Sequence, residues 1–213
     1  MKVKTDELTR AVRVAIDMNR TDTPLLAVGD SDTLTLDTLI KAKLPDALRL
    51  VEMEAPLFML ESGHILEPGE ESTFFIGSDG KGFLVLPDDF MRLISFQMSD
   101  WDRPVFEAIT ESDPIYRQQA SPFKGICGNP ERPVVALVRR AEGKVLEFYS
   151  CRNADATIAQ ACYLPIPRID ADGALDIPED LYSATVYRAA SLVLAALGDQ
   201  LATTMLELSK SMI

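Results

Sequence analysis

Ser72-Thr73-Phe74-Phe75-Ile76-Gly77-Ser78-Asp79-Gly80-Lys81-Gly82-Phe83-Leu84-Val85-Leu86 is the stretch on which the fold class turns. Two apolar and aromatic runs, 72–77 and 82–86, flank Ser78-Asp79-Gly80-Lys81. An Asp-Gly pair supplies the positive φ angles that a tight hairpin turn requires, so the stretch reads as two antiparallel strands. The same residues exclude a phosphate-binding loop. The glycines do not follow the GxxxxGK[ST] spacing, and a strand follows them where that loop needs a helix N-terminus. Lys81-Gly82-Phe83 also shares the start of an RNA-recognition strand motif, which Leu84-Val85-Leu86-Pro87 does not continue.

Outward from this hairpin the period-two pattern persists. Residues 134–138 and 145–149 form a second hairpin through Ala141-Glu142-Gly143-Lys144. Between the two hairpins, Ile94, Phe96 and Met98 alternate with Ser95, Gln97 and Ser99, which predicts a strand with one face buried and one wet. Residues 157–164 predict a further strand, and Asp113-Pro114 caps a short helix through Gln119.

At both ends of the chain the period changes to that of a helix. Thr5 followed by Asp6 and Glu7 reads as a cap with acids in the first turn, and Leu8, Ala11, Val12, Ala15 and Ile16 predict a helix from 6 to 18. Leu36, Leu39, Ile40, Leu44, Ala47, Leu48 and Val51 predict a second amphipathic helix, kinked or split at Pro45. Residues 19–33 between them read as a long surface connection. Ile177-Pro178-Glu179-Asp180 opens a last helix whose apolar and small residues continue to Leu208 unless Gly198-Asp199 breaks it. Its small residues, Ala184, Ala189, Ala190, Ser191, Ala195 and Ala196, are expected to face the chain's own first two helices, with packing against another subunit as the alternative. The fold class is α+β: an antiparallel sheet of hairpins packed with N-terminal helices and a long C-terminal helix. Residues 1–213 read as a single domain, helical over 1–56, mainly β over 57–176, with the C-terminal helix over 177–213.

Composition bounds the function. The 213 residues, 47% apolar and 25% charged, suffice for a buried core and exclude collagen-like, coiled-coil and wholly disordered chains. Lys and Arg number 21 against 33 Asp and Glu, and a net charge of −12 opposes binding to a phosphate backbone by charge neutralisation. Three cysteines, Cys127, Cys151 and Cys162, form neither a complete disulfide set nor a CxxC pair, so reduced thiols in the cytoplasm are expected. The N-terminus turns acidic at Asp6-Glu7 before an apolar core could begin, so no secretory signal is expected. The apolar stretch 181–198 carries Arg188 and several hydroxyls and reads as a buried helix instead of a membrane span.

The residues offer little for a catalytic scheme. His64 is the only histidine and no Gly-x-Ser-x-Gly elbow exists, so a hydrolytic triad is disfavoured and His64 reads as a solvent-facing loop residue. Asp30-Ser31-Asp32 with Asp37 hints at a calcium loop, but Thr35 stands where the loop needs glycine and Lys41 where it needs glutamate. Asp88 and Asp89 are candidates for a hydrolase's acid and base, and a short helical turn accounts for them more simply. Trp101-Asp102-Arg103-Pro104 reads as a core corner before a partner-facing anchor, and Tyr116 and Arg117 are residue types favoured at interfaces. No catalytic, cofactor-binding or metal-binding residue is assigned, and no cofactor is expected.

Several phrases carry a family resemblance: Leu86-Pro87-Asp88-Asp89-Phe90-Met91-Arg92-Leu93, Trp101-Asp102-Arg103-Pro104-Val105, Arg132-Pro133-Val134-Val135-Ala136-Leu137, Leu146-Glu147-Phe148-Tyr149-Ser150, Tyr163-Leu164-Pro165-Ile166-Pro167 and Ile177-Pro178-Glu179-Asp180-Leu181-Tyr182. In order and spacing, together with 40–51, they cover most of the chain and resemble the neck or ring structural proteins of tailed bacteriophages, those of crAss-like gut phages and related prophages. The resemblance implies a non-enzymatic virion protein of the neck or head–tail connector, made in the host bacterial cytoplasm. It implies a ring of identical subunits below the portal, in contact with the portal or other neck and tail proteins, without sequence-specific nucleic-acid or membrane binding. Acidic excess would then suit a channel that packaged DNA must pass without sticking. A cytoplasmic protein-binding module unrelated to virions is the alternative, with loops 19–33 and 61–71 as its recognition elements.

Overall fold

The computed structural model describes residues 1–16, 35–60, 63–66, 74–121, 123, 125–141 and 143–213. In chain order its elements are β1 (Lys2–Lys4), α1 (Thr5–Ala15), α2 (Leu36–Glu54), β2 (His64–Ile65), β3 (Phe74–Ile76), β4 (Gly82–Val85), β5 (Phe90–Met98) and β6 (Ile109–Thr110). There follow α3 (Pro114–Gln118), β7 (Val135–Arg140), β8 (Gly143–Phe148), β9 (Ile158–Pro165), β10 (Ala174–Asp176), α4 (Tyr182–Ala196) and α5 (Leu201–Lys210). The α+β class expected from sequence is the class observed. Sequence reading treated 1–213 as one domain; the chain gathers into two compact units, Met1–Glu61 with Pro167–Ile213, and Ser62–Ile166. The helical ends therefore share a unit and the hairpins form the other.

In the helical unit, β1 and β10 pair antiparallel, Val3 opposite Leu175, and tie the start of the chain to the segment before its last helices. Thr5 is the first helical residue and not the cap, which is Lys4. The Thr5 hydroxyl is engaged elsewhere, donating to the Gly173 carbonyl at 3.0 Å. The helix ends at Ala15, short of the expected Met18. α2 begins at the Thr35 cap, whose hydroxyl accepts from the Thr38 amide at 3.2 Å. It continues unsplit through Pro45. A proline inside a helix costs about 3 kcal/mol, and here the fully buried Leu44, Ala47, Leu48 and Val51 around it favour keeping the helix intact. Arg13 to Asp37 at 2.6 Å and Lys41 to Asp6 at 2.7 Å join α1 to α2. The core between the helices holds Leu8, Val12, Ile40, Leu44, Leu48, Ala189, Val193 and Leu194.

The long C-terminal helix is two helices. Gly198, at φ +74°, adopts the left-handed conformation that ends α4 at almost no steric cost. α5 returns along α4: the Ser191 hydroxyl donates to the Ala202 carbonyl and the Ser209 hydroxyl to the Ala184 carbonyl, each at 2.8 Å. Ala189 and Ala190 are buried with residues of α1 and α2, and Ala184 with Val51 and Ala55 at the end of α2, as the first of the two sequence readings expected, whereas Ser191 is turned to Ala202 of α5. Ala195 and Ala196 are exposed. No described helix is long and apolar enough to cross a membrane.

In the β unit, five strands run in the order β3-β4-β8-β7-β6 and three in the order β2-β9-β5. All pairings are antiparallel except β6 with β7. Both expected hairpins form. At the first turn the Gly77 amide donates to the Lys81 carbonyl at 2.7 Å, and Gly80 sits at φ +75°. A Cβ at Gly80 would lie 2.1 Å from the Cys151 carbonyl oxygen, so no other residue fits without moving backbone. Leu84, Val135, Leu146 and Phe148 of the larger sheet share one core with Phe90, Leu93, Phe96, Met98 and Tyr163 of the smaller.

Strand β5 departs from simple alternation. Register shifts between Phe90 and Arg92 and between Leu93 and Ser95 insert bulges. They turn Leu93 and Phe90 into the core and leave Ile94 partly exposed, while Ser95, expected on the wet face, is buried.

Candidate interaction surfaces

The structure scatters the residues that sequence reasoning tested for chemistry. His64 is exposed, but it opens β2 and is not in a loop; it stands edge-on to Tyr163, ring centroids 5.9 Å apart. Asp89 lies in the turn before β5 and accepts from the Tyr163 hydroxyl at 3.1 Å, while burial and this carboxylate push the Tyr163 phenol above its ordinary range. Asp37 sits in the first turn of α2 against Arg13; Asp30 and Asp32 lie outside the described residues, as does the connection 19–33. The acidic loop 61–71 is described only at 63–66. Trp101 is a core corner, buried edge-on against Phe96 at 5.6 Å.

All three thiols are free. Cys127 and Cys151 line one pocket of about 540 Å³ with Lys81 and Arg152. Burial, with the charge of Asp100 added, pushes the Cys151 thiol up to about 12, so it stays protonated and a poor nucleophile at neutral pH. Among the described residues no group of three or more His, Cys, Asp or Glu side chains could hold a metal ion.

A cluster that sequence reasoning missed lies on the outer face of the larger sheet. Glu147 is buried and accepts from Arg140 Nε at 2.8 Å, from the Tyr116 hydroxyl at 3.3 Å and from the Tyr149 hydroxyl. The Arg140 guanidinium also covers the Phe83 ring at 4.9 Å. Burial first, and then the Glu147 charge, push both phenols above their ordinary range, which keeps them protonated as donors. Tyr116, an interface candidate from sequence, is thus spent internally, tying α3 to β8. The pattern offered no signal, because Arg140 and Glu147 are not cross-strand partners and Tyr116 arrives from a separate helix. Glu147→Ala is expected to lower the stability of this unit by about 2–3 kcal/mol, since three donors lose one buried acceptor. Urea unfolding followed by Trp101 fluorescence reads the change, and an unshifted midpoint would remove Glu147 as the anchor.

What the surface offers is apolar side chains and one basic groove. On α5, Leu201, Met205 and Leu208 recur at i, i+4 and i+7, and Met212 follows just past the helix. Leu201 is 51% exposed and Leu208 38%, while Met205 packs partly onto the core. On the β unit, Phe123 and Ile126 project from the segment after α3, and Phe75 and Phe106 are half exposed. The groove of about 460 Å³ runs between the β7–β8 tip and the turn after β6. Arg139 and Lys144 line it beside Thr110, Glu111 and Ser112, over Phe90, Met91 and Leu137.

The chain matches no protein-family model and no curated protein.

Its chemistry therefore has to be weighed on these residues. Exposed large apolar side chains gathered on a helix face or a loop mark interaction surfaces in soluble proteins. Among the described residues, Asp37, Asp89 and His64 stand apart, each beside a local structural partner.

Proposed function

We propose that the chain is a non-enzymatic virion structural protein of the phage neck or head–tail connector, made in the host bacterial cytoplasm. It acts by oligomeric assembly with itself and by contact with the portal or other neck and tail proteins. The observation that carries this reading is the exposed stripe of α5, Leu201 and Leu208 with Met212 beyond them. With Leu201 51% and Leu208 38% exposed, such a stripe gains about 1 kcal/mol for each leucine that a neighbour covers. The order and spacing of the segments that resemble ring proteins support it from the sequence side. An acidic chain, at −12, supports the part of the reading in which DNA passes without sticking.

The test is the mass of the full chain in solution across a concentration series, by light scattering behind a sizing column, with particle imaging of any large species. Rings alone, or rings formed on added portal particles, are the expected result. A monomer at every concentration, alone and with portal present, would return the chain to the alternative, a protein-binding module unrelated to virions.

A further inference from the structure

We propose that the groove lined by Arg139 and Lys144 is where an acidic face of a second copy of this chain docks; this rests on the assembly reading above. Arg139 and Lys144 stand directly opposite each other across the β7–β8 pair. Both are exposed, and no carboxylate lies within ion-pair distance of either among the described residues. Like charges facing each other across a ladder destabilise it, and the Lys144 ammonium donates to the Phe90 carbonyl at 3.4 Å, a neutral acceptor that leaves the repulsion in place. The next residue shows the contrast: Arg140 points to the other face of the strand and is neutralised there by Glu147. The groove's floor is apolar, from Phe90, Met91 and Leu137, and at its rim the Thr110 hydroxyl donates to the Asp113 carboxylate at 3.1 Å and accepts from the Ser112 hydroxyl at 2.9 Å.

The occupant follows from charge complementarity. Copies of a chain with 33 acidic and 21 basic residues repel one another almost wherever they meet. Two cations with no carboxylate partner among the described residues, over an apolar floor, form a place where that repulsion becomes attraction, because an incoming carboxylate gains both charges while its apolar neighbours cover the floor. The contact joins this groove to a different surface of the next copy. It is therefore heterologous, the type that closes into rings.

The experiment compares full-length variants by light scattering at physiological ionic strength. Salt alone does not decide, since general repulsion and the groove's attraction respond to it in opposite senses. Arg139→Glu with Lys144→Glu is expected to weaken self-association about tenfold or more relative to Arg103→Glu with Arg132→Glu, which changes net charge equally at exposed sites outside the groove. Glu111→Lys removes the carboxylate that lines the groove among the described residues and is expected to strengthen association relative to Glu131→Lys. All six altered positions are exposed, and circular dichroism checks that each variant is folded. Groove variants that behave as their charge-matched controls would overturn the proposal and leave assembly itself standing. A wild-type chain that never self-associates, alone or with portal particles present, would overturn both. Binding of a short DNA duplex that is lost with Arg139→Glu and Lys144→Glu would assign the groove to nucleic acid and also overturn it.

Discussion

Glutamate at both Leu201 and Leu208 is expected to weaken assembly on the order of a hundredfold or more while leaving the monomer's melting temperature unchanged within about 2 °C. The two leucines are 51% and 38% exposed and lie on the outward side of α5. The helix is held to its unit by other groups: Ala202 and Met205 against the core, and the hydrogen bonds of Ser191, Arg188 and Ser209 across to it or from it. In an assembled particle the same positions would place two carboxylates in an apolar contact. Each would lose the leucine's transfer energy and add the cost of desolvating a charge. Sizing with light scattering reads the assembly and a thermal melt reads the fold. Particles of unchanged mass would show that α5 is not the assembly surface. A collapse of the melt would show that α5 carries stability that its exposure conceals.

The second large effect concerns the only charge in the apolar stretch 181–198. Arg188 is 5% exposed, its guanidinium paired with Glu54 at the end of α2 and its Nε donating to the Ser209 hydroxyl at 3.3 Å. One side chain thereby links α2, α4 and α5. Glu54→Ala strands a guanidinium that is already out of water and is expected to destabilise the helical unit by about 2 kcal/mol. This is below the 3–5 kcal/mol of a fully enclosed pair, because Glu54 is 42% exposed and solvent screens the attraction. Arg188→Met should cost less, about 1 kcal/mol, since it removes the buried charge together with its desolvation penalty and keeps most of the packing volume. The ordering is what matters. Urea titrations followed by the helical circular dichroism signal measure it, and an Arg188→Met loss larger than that of Glu54→Ala would mean that the ion pair, not the avoidance of an unpaired charge, holds the helices together.

Much of the fold was legible because it is local. Asp79-Gly80 and the Ala141–Lys144 tip specify turns whose backbone angles few other residues accept, and both hairpins stand where those pairs placed them. The stripe from Leu36 to Val51 specifies α2 because a period near four residues can bury one face only as a helix. Pro45 does not split α2, for the opposite reason. Its local penalty is real, but burial of its neighbours outweighs it, and burial is not a local property.

The surfaces were less legible than the elements. Exposed Leu201 and Leu208 belong to the same apolar run as buried Val193 and Leu194, and only the reversal at Gly198 turns one set outward and the other inward. Tyr116 reads as a partner contact in the sequence, and only the fold brings Glu147 of β8 to α3 to accept the hydrogen bond of its hydroxyl.

By itself, then, the sequence determined the α+β class, the two hairpins, the amphipathic α2 and the acidic balance, all of which depend on neighbours in the chain or on simple counting. Only the tertiary structure decided the division into two units, the bulges that exchange Ile94 for Leu93 in the core, the return of α5 along α4, the Glu147 cluster, and the meeting of Arg139 and Lys144 with the turn after β6. The physical reason is common to all of these. Each is settled by which groups are brought out of water together from distant parts of the chain, and a residue's own identity does not state what will be buried against it.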